Sequence, residues 1–156
     1  LKGIIACSLT HIILGQLGIG NAYMFVLYTG LGVVLGHNFP FYMQFKGGKG
    51  IAASGGMIVG LWDWRLVVIL LAAFIISVVI TRYVSVGSLT IMIGFFILYT
   101  VFAIHGDYNF TSNAKMIEGI IVAGIIAGMA VIRHWQNIKR LIAGTENKLS
   151  FGSKKA

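Results

Sequence analysis

Val84–Ile104, VSVGSLTIMIGFFILYTVFAI, runs for twenty-one residues without a charged side chain. A helix needs about 20 predominantly apolar residues to cross bilayer hydrocarbon, where every backbone N–H and C=O must find its partner inside the segment. This stretch meets that requirement alone, and its surroundings agree with it. The chain has 156 residues, 58% of them hydrophobic and 10% charged, with a mean hydropathy of +0.90. A soluble domain of this size carries about a quarter charged residues. The composition therefore dictates a membrane protein.

Working outward, further apolar runs lie at Gly3–Leu17, Ala22–Leu35, Ile51–Leu61, Leu66–Thr81 and Ile117–Ile132, which makes six in all. The expected fold class is thus an all-α integral membrane protein of about six transmembrane helices. Most of these cores are shorter than a full span and are expected to extend into their flanks. Ile51–Leu61 is the shortest and is rich in Ala and Gly, so it is expected to start within a polar interior, as glycine-broken segments do at binding sites. Residues 1–144 read as a single transmembrane helical domain and 145–156 as a polar cytoplasmic tail. The chain starts at Leu1 rather than Met and shows no A-x-A cleavage site, so no signal peptide is visible and N-terminal sequence is expected to be missing.

Threading the six runs alternately through a bilayer sorts the charges. Lys2, Lys46, Lys49, Arg82, Arg133, Lys139, Arg140, Lys148, Lys154 and Lys155 fall on one side, and only Arg65 and Lys115 on the other. Cytoplasmic loops carry the Lys/Arg excess, which places the larger set inside the cell. The net charge of +8 is then topogenic, with part of it free to meet anionic lipid, and calls for no nucleic-acid partner. Trp62, Trp64, Tyr23 and Tyr108 fall near the outer boundary and Tyr83 and Trp135 near the inner one, as an aromatic belt would. The single Cys7, in apolar company, excludes a disulfide framework and reads as a small core residue.

Three polar groups do not reduce to topology, and by the charge distribution all lie on the cytoplasmic side. The first is Lys46-Gly47-Gly48-Lys49-Gly50, inside GHNFPFYMQFKGGKG (Gly36–Gly50) and leading into the run at Ile51. Glycines let backbone N–H groups turn toward a ligand, while a helix N-terminus and two lysines add positive charge, so phosphate is the natural guest. The G-x-x-x-x-G-K-[ST] spacing of a Walker A loop is absent. A flexible turn with topogenic lysines is the plainer alternative. The second is His37, which is a general base, a phosphate donor or a satisfied interfacial residue. The third is Arg133-His134-Trp135-Gln136-Asn137-Ile138-Lys139-Arg140, read as a helical continuation of the last span. There His134 and Asn137 share a face, Arg140 follows one step on, and Gly144 closes the helix as a C′ glycine. A basic juxtamembrane helix is its plainer reading. Ser85 and Ser88, three apart beside Arg82, bond back to their own helix unless they face the lysine loop. Across the membrane, His105, Asp107, Asn109 and Asn113 form an ordinary polar loop, with His105 and Asp107 too few for a metal site. Several cations with no carboxylate except Glu146 suit an anionic substrate, not a divalent-metal mechanism.

GHNFPFYMQFKGGKGIA resembles the second signature block of the bacterial acyl-phosphate:glycerol-3-phosphate acyltransferases, the PlsY family. HWQNIKRLIAGTENK resembles their third block, and RYVSVGS is similar to the stretch between them. The resemblance covers essentially the whole chain, whereas family members begin with one further span and a first signature block whose Ser and Arg are thought essential, and neither occurs here. Ala53 stands where the family often has Thr. The resemblance implies transfer of a fatty acyl group from acyl phosphate to the 1-hydroxyl of glycerol 3-phosphate, giving lysophosphatidate and phosphate, with neither metal nor nucleotide cofactor. It implies a bacterial inner-membrane location and a role in phospholipid synthesis, and leaves oligomeric state open.

On that basis Lys49, with the N–H groups of Gly47, Gly48 and Gly50, is expected to bind substrate phosphate, with Lys46 assisting. His37 and His134 are the candidates for positioning or deprotonating the attacking hydroxyl, alongside a substrate phosphate oxygen. Asn137 and Arg140 are expected to orient a phosphate, Ser85 and Ser88 to line the glycerol phosphate pocket, and Glu146 to be structural. The rival readings are an inactive fragment of the same enzyme and a transporter of a phosphorylated solute. The second is weakened by spans free of charge except Glu118.

Overall fold

Each apolar run becomes a helix in the computed structural model, which describes residues 1–149. The elements are α1 (Lys2–Gln16), α2 (Ala22–Asn38), α3 (Ile51–Gly60), α4 (Trp64–Thr81), α5 (Val84–Ile104), α6 (Asn113–Arg133) and α7 (Trp135–Ile142), with one 3-10 turn at Phe41–Met43 after α2. Among the described residues there is no strand. Four stretches are long and apolar enough to cross a membrane: Ala22–Met43, Trp64–Thr81, Val84–Ile104 and Asn113–Arg133. The extension expected of most runs does not occur at α1, with 15 residues, and α3, the run expected to be shortest, has 10.

The exposed surface shows what solvent the bundle is built for. On α4 only Leu66, Leu70 and Val78 are buried, while Val68, Ile69, Leu71, Ile75, Ile76, Val79 and Ile80 are exposed. A continuous apolar face of this extent is unfavourable in water and matched in lipid. Packing inside relies on small residues and on polar pairs between helices. Gly3 of α1 lies against Ala53 and Gly56 of α3, and Cys7 lies against Gly60, so these two helices run parallel with their backbones in near contact. Thr10 and Thr29 join α1 to α2 at 3.0 Å, and Ser77 and Thr90 join α4 to α5 at 3.2 Å. The buried apolar core runs from Cys7 and Val26 through Met57 and Leu66 to Phe95, Tyr99 and Ile126.

The parallel pairing of α1 with α3, with α2 returning between them, puts the starts of α1, α3 and α5 at the same end as the finishes of α2, α4 and α6. Lys2, Lys46, Lys49, Arg82, Arg133, Lys139, Arg140 and Lys148 belong to that end, and Arg65 and Lys115 to the other. Lys154 and Lys155, counted with the first set from the sequence, lie outside the described residues.

Three local expectations change. The third polar group does not prolong α6: the helix ends at Arg133, His134 sits at φ −93° and ψ 5°, and α7 starts afresh at Trp135. The cause is competition for one acceptor, because the backbone N–H and the imidazole Nδ1 of His134 both reach the Ala130 carbonyl, at 3.0 and 2.7 Å. Tyr23 and Tyr108 lie at the expected end but do not face outward as Trp62 and Trp64 do, Tyr23 being half-buried. Tyr108 is buried, its ring 4.4 Å from that of Tyr23 and 4.9 Å from that of Tyr99, whereas Trp62 and Trp64 are exposed as a belt requires. Nor does the chain trail away after Gly144. That glycine, at φ +69°, closes α7 as expected, with the Thr145 N–H donating to the Arg140 carbonyl at 2.8 Å. Residues 145–149 then fold back, and the Leu149 N–H reaches the Arg82 carbonyl at 2.8 Å, tying the segment to the α4–α5 turn.

Candidate active site

Two groups of polar side chains meet at the cation-rich end, one on the loop between α2 and α3 and one where α5, α6 and α7 converge. The loop begins where α2 stops at Asn38 ahead of Pro40, which cannot donate to a helix. It doubles back through the 3-10 turn, and Gln44 and Phe45 both adopt positive φ. Gly47 and Gly48 then pass close to the end of α2, Gly47 against its backbone and Gly48 against the His37 ring. A Cβ on Gly47 would lie 2.1 Å from the His37 carbonyl oxygen, and one on Gly48 would lie 2.3 Å from His37 Nε2. Gly50, at φ +83°, forms the N-cap of α3, and the Asn38 amide lies where its Cβ would project.

The glycine amides are not arranged as the sequence led us to expect. The Gly47 N–H donates to the Asn38 carbonyl at 3.2 Å and the Gly48 N–H to the His37 carbonyl at 3.3 Å, so both are engaged by the chain itself. The positive potential of the loop instead comes from exposed Lys46 and Lys49 and from the first turn of α3, which has no side-chain cap. The carbonyls of the same two glycines face Arg133. Its Nη2 donates to Gly47 at 2.7 Å and to Gly48 at 2.8 Å, and its Nε donates to Gly48 at 3.2 Å. The guanidinium also lies 5.3 Å from the Phe39 ring centre.

Beyond Arg133 lies the second group. His134 is buried, and because a carbonyl only accepts, its 2.7 Å contact with Ala130 fixes the proton on Nδ1 and leaves the Nε2 lone pair as the free acceptor of the neutral ring. Burial pushes the imidazole below its ordinary value, and the nearby Lys49 charge adds to that, while the Ala130 bond and Glu146 act the other way. Asn137, also buried, donates its amide to Ser85 Oγ at 2.8 Å and to Glu146 at 2.6 Å, and its own Oδ1 has no partner. Ser85 donates to the same carboxylate, and Arg140 closes the set on Glu146 at 2.6 Å. These bonds, Arg140 first, hold the Glu146 carboxyl down at about 2, so it is ionised and acts as the hub of the cradle. Ser88 is buried one turn further along α5, and none of these bonds involves it.

The loop forms a wall between this cradle and a cavity of about 1010 Å³ on its other side. Lys2, His37, Lys46, Gly47 and Gly48 supply the polar lining of the cavity, and Val33, Phe39, Phe41, Tyr42 and Met43 much of the apolar one. The structure thus brings His37, Lys46, Gly47 and Gly48 to the cavity, and Ser85, His134, Asn137, Arg140 and Glu146 to the cradle. Arg133 bridges the two. In the sequence Arg133 opens the third polar group with no role of its own, and its one local signal is its place next to His134. Among the described residues no group of three His, Cys, Asp or Glu side chains is arranged to hold a metal, and Asp107 is taken by Arg65 at 3.0 Å.

The chain is similar in sequence and fold to known proteins. The family profile described as glycerol-3-phosphate acyltransferase matches residues 1–144. A glycerol-3-phosphate acyltransferase of Thermoanaerobacter sp. (strain X514) is 38% identical over 149 residues, covering 96% of this chain and 66% of that protein. One from Chlorobaculum tepidum is 36% identical over 145 residues, covering 86% and 62%. Among solved structures, the glycerol 3-phosphate form of PlsY (YgiH), an integral membrane glycerol 3-phosphate acyltransferase, superposes with a TM-score of 0.73 at 28% identity, covering 90% of this chain and 64% of that one. The lysophosphatidic acid form gives 0.76 at 29%, covering 96% and 68%. The chain therefore spans just under two thirds of the length of the curated relatives it matches, 66% and 62% for the two named.

Proposed function

Because this chain belongs to the glycerol-3-phosphate acyltransferase family and is an all-helical, multi-pass integral membrane protein, we propose that it transfers a fatty acyl group from acyl phosphate to the 1-hydroxyl of glycerol 3-phosphate. The products are lysophosphatidate and inorganic phosphate. The attacking oxygen bonds to the acyl carbon, the bond from that carbon to the phosphate oxygen breaks, and the hydroxyl proton passes to a base. An acyl phosphate is already activated, so the reaction needs no covalent enzyme intermediate.

The observation that carries this reading is the pairing of an anion-binding loop with a neutral, pre-oriented imidazole. Lys49 and the first turn of α3 offer positive charge to a substrate phosphate and to the charge that develops as phosphate leaves. His134 presents Nε2 as the acceptor for the hydroxyl proton, and its lowered proton affinity keeps it unprotonated near neutral pH. Asn137 Oδ1, buried and without a partner, is the second acceptor that orients the glycerol hydroxyls. Arg140, committed to Glu146, shapes the cradle and lends it charge, and Ser85 acts with it. Lys46, Gly47 and Gly48 hold the loop face of the pocket, and His37 steers phosphate at the cavity mouth. The apolar lining of the cavity suits the acyl chain. The excess of Lys and Arg at this end supports a cytoplasmic orientation in a bacterial inner membrane.

The test is phosphate release by the purified protein in detergent or lipid cubic phase, given acyl phosphate and glycerol 3-phosphate, with acyl-CoA as the comparison donor. Release that requires glycerol 3-phosphate and occurs only with acyl phosphate is the expected result. Release only from a version extended to the length of the relatives would assign this chain the binding machinery but not turnover. Silence from both would overturn the reading.

A further inference from the structure

Arg133 carries a charge that no carboxylate answers: among the described residues the ion pairs are Arg65 with Asp63 and Asp107, Lys115 with Glu118, and Arg140 with Glu146. Its bonds go instead to two consecutive peptide carbonyls some 85 residues earlier, Gly47 at 2.7 Å and Gly48 at 2.8 and 3.2 Å. Those same two residues send their N–H groups the opposite way, to Asn38 and His37 at the end of α2. The peptide joining Gly47 to Gly48 is therefore held from both sides, its N–H by the end of α2 and its carbonyl by the guanidinium. Glycine is required at position 47, where the backbone of α2 comes so close, and at position 48 the His37 ring occupies the space a side chain would take.

We propose that Arg133 is a positioning residue: it clamps the Gly47–Gly48 segment in the geometry that sets Lys46 at the cavity and Lys49 near His134, and couples that loop to His134, its neighbour in the chain. Two features separate this from a generic structural contact. A guanidinium presents several N–H groups in a fixed fork that spans two carbonyl oxygens, which a lysine ammonium, a single charged centre on a flexible stem, does not reproduce. Carbonyl partners also leave the positive charge uncancelled, so the clamp adds to the field that draws an anion into the pocket. The consequence falls on substrate binding more than on the chemical step. The inference rests on the acyltransferase reading for its kinetic part but not for its structural part.

The test uses Arg133→Ala and Arg133→Lys, with two readouts. Hydrogen–deuterium exchange at the Gly47 and Gly48 amides should rise in both variants. KM for at least one of the two phosphate-bearing substrates should rise about tenfold or more, the scale of losing hydrogen bonds to a charged group, with a smaller change in kcat. Added guanidinium ion should restore part of the loss in Arg133→Ala. If Arg133→Ala does not fold, Arg133→Lys carries the test, and wild-type KM in that variant overturns the proposal because charge alone would suffice. Unchanged exchange at the two glycine amides overturns it equally. If the unmodified protein shows no turnover, the acyltransferase reading fails by itself, and exchange together with binding of inorganic phosphate still decides the clamp.

Discussion

The two ends of the bundle use the same kinds of residue and treat them oppositely. At the end away from the cavity, Asp63 caps α4, takes Arg65 at 3.0 Å and accepts from the Tyr108 hydroxyl at 3.2 Å. Arg65 reaches on to Asp107 and lies 4.3 Å over the Phe102 ring centre. Each of these charges is answered, and Asp63 is buried against Tyr108, which stacks with Tyr23 and Tyr99, while Arg65 and Asp107 stay partly exposed. At the other end Arg133 rests on carbonyls, and Glu146 is the one carboxylate in the cradle, bonded to Arg140. The contrast separates paired, structural charge from charge held ready for an anionic guest.

That contrast can be broken most sharply at His134. Replacing it with Gln should lower kcat by about a hundredfold to ten-thousandfold, the range for a lost general base, while the fold persists. The acid limb of the wild-type pH–rate profile should lie below 6.5, because burial and Lys49 depress the imidazole, and it should vanish in the variant. A wild-type profile in His134→Gln would assign the proton to another acceptor. Next comes Lys49→Ala, expected to cost about a hundredfold in turnover, as for loss of one oxyanion donor, with thermal stability unchanged. At the opposite end the ordering should invert. Asp63→Asn leaves Arg65 short of a buried partner and should lower stability by about 2 kcal/mol, read as a melting midpoint roughly 5 °C lower, with kinetics intact. A fall in turnover of Asp63→Asn greater than its fall in folded fraction would erase the division of labour between the ends.

The smallest effect is one of pH. Arg140, Ser85 and Asn137 hold the Glu146 carboxyl at about 2 rather than 4.5, so the unfolded chain takes up this proton before the folded one. The stabilisation is therefore fully present above the unfolded value and is lost as pH falls through the folded one. The gap in melting midpoint between the wild type and Glu146→Gln should be constant at neutral pH and close between about pH 4.5 and 2. A gap that persists to pH 2 would mean that the hydrogen bonds, not the charge, do the holding.

What the sequence disclosed and what it hid divide along the range of the interaction. Helix positions follow from runs of apolar residues, and all six formed. The closing turn at Gly144 follows from local backbone chemistry. The break at His134 is also local, but it depends on which acceptor an imidazole finds, and a helical pattern of side chains does not encode that. Arg133 lay hidden for a stronger reason: its partners are carbonyls, which every residue has, so no side-chain pattern at positions 47 and 48 announces them. Tyr23 and Tyr108 misled because a tyrosine at a membrane boundary and a tyrosine over a buried carboxylate have the same neighbours in sequence. They differ only in what Asp63 brings to them.

The near contact of α1 with α3 has a mechanical consequence. A Cβ on Gly3 would fall 2.5 Å from the Ala53 carbonyl oxygen, and one on Gly60 would fall 2.4 Å from the Cys7 Cβ, so a side chain added at either position would force the two backbones apart. The two helices pack as one unit, and a movement of α3 alone would have to break that contact. Gly47 and Gly48 are fastened on both faces, whereas the neighbouring Phe39–Phe45 stretch turns two large aromatic rings outward, Phe41 being 80% and Tyr42 67% exposed.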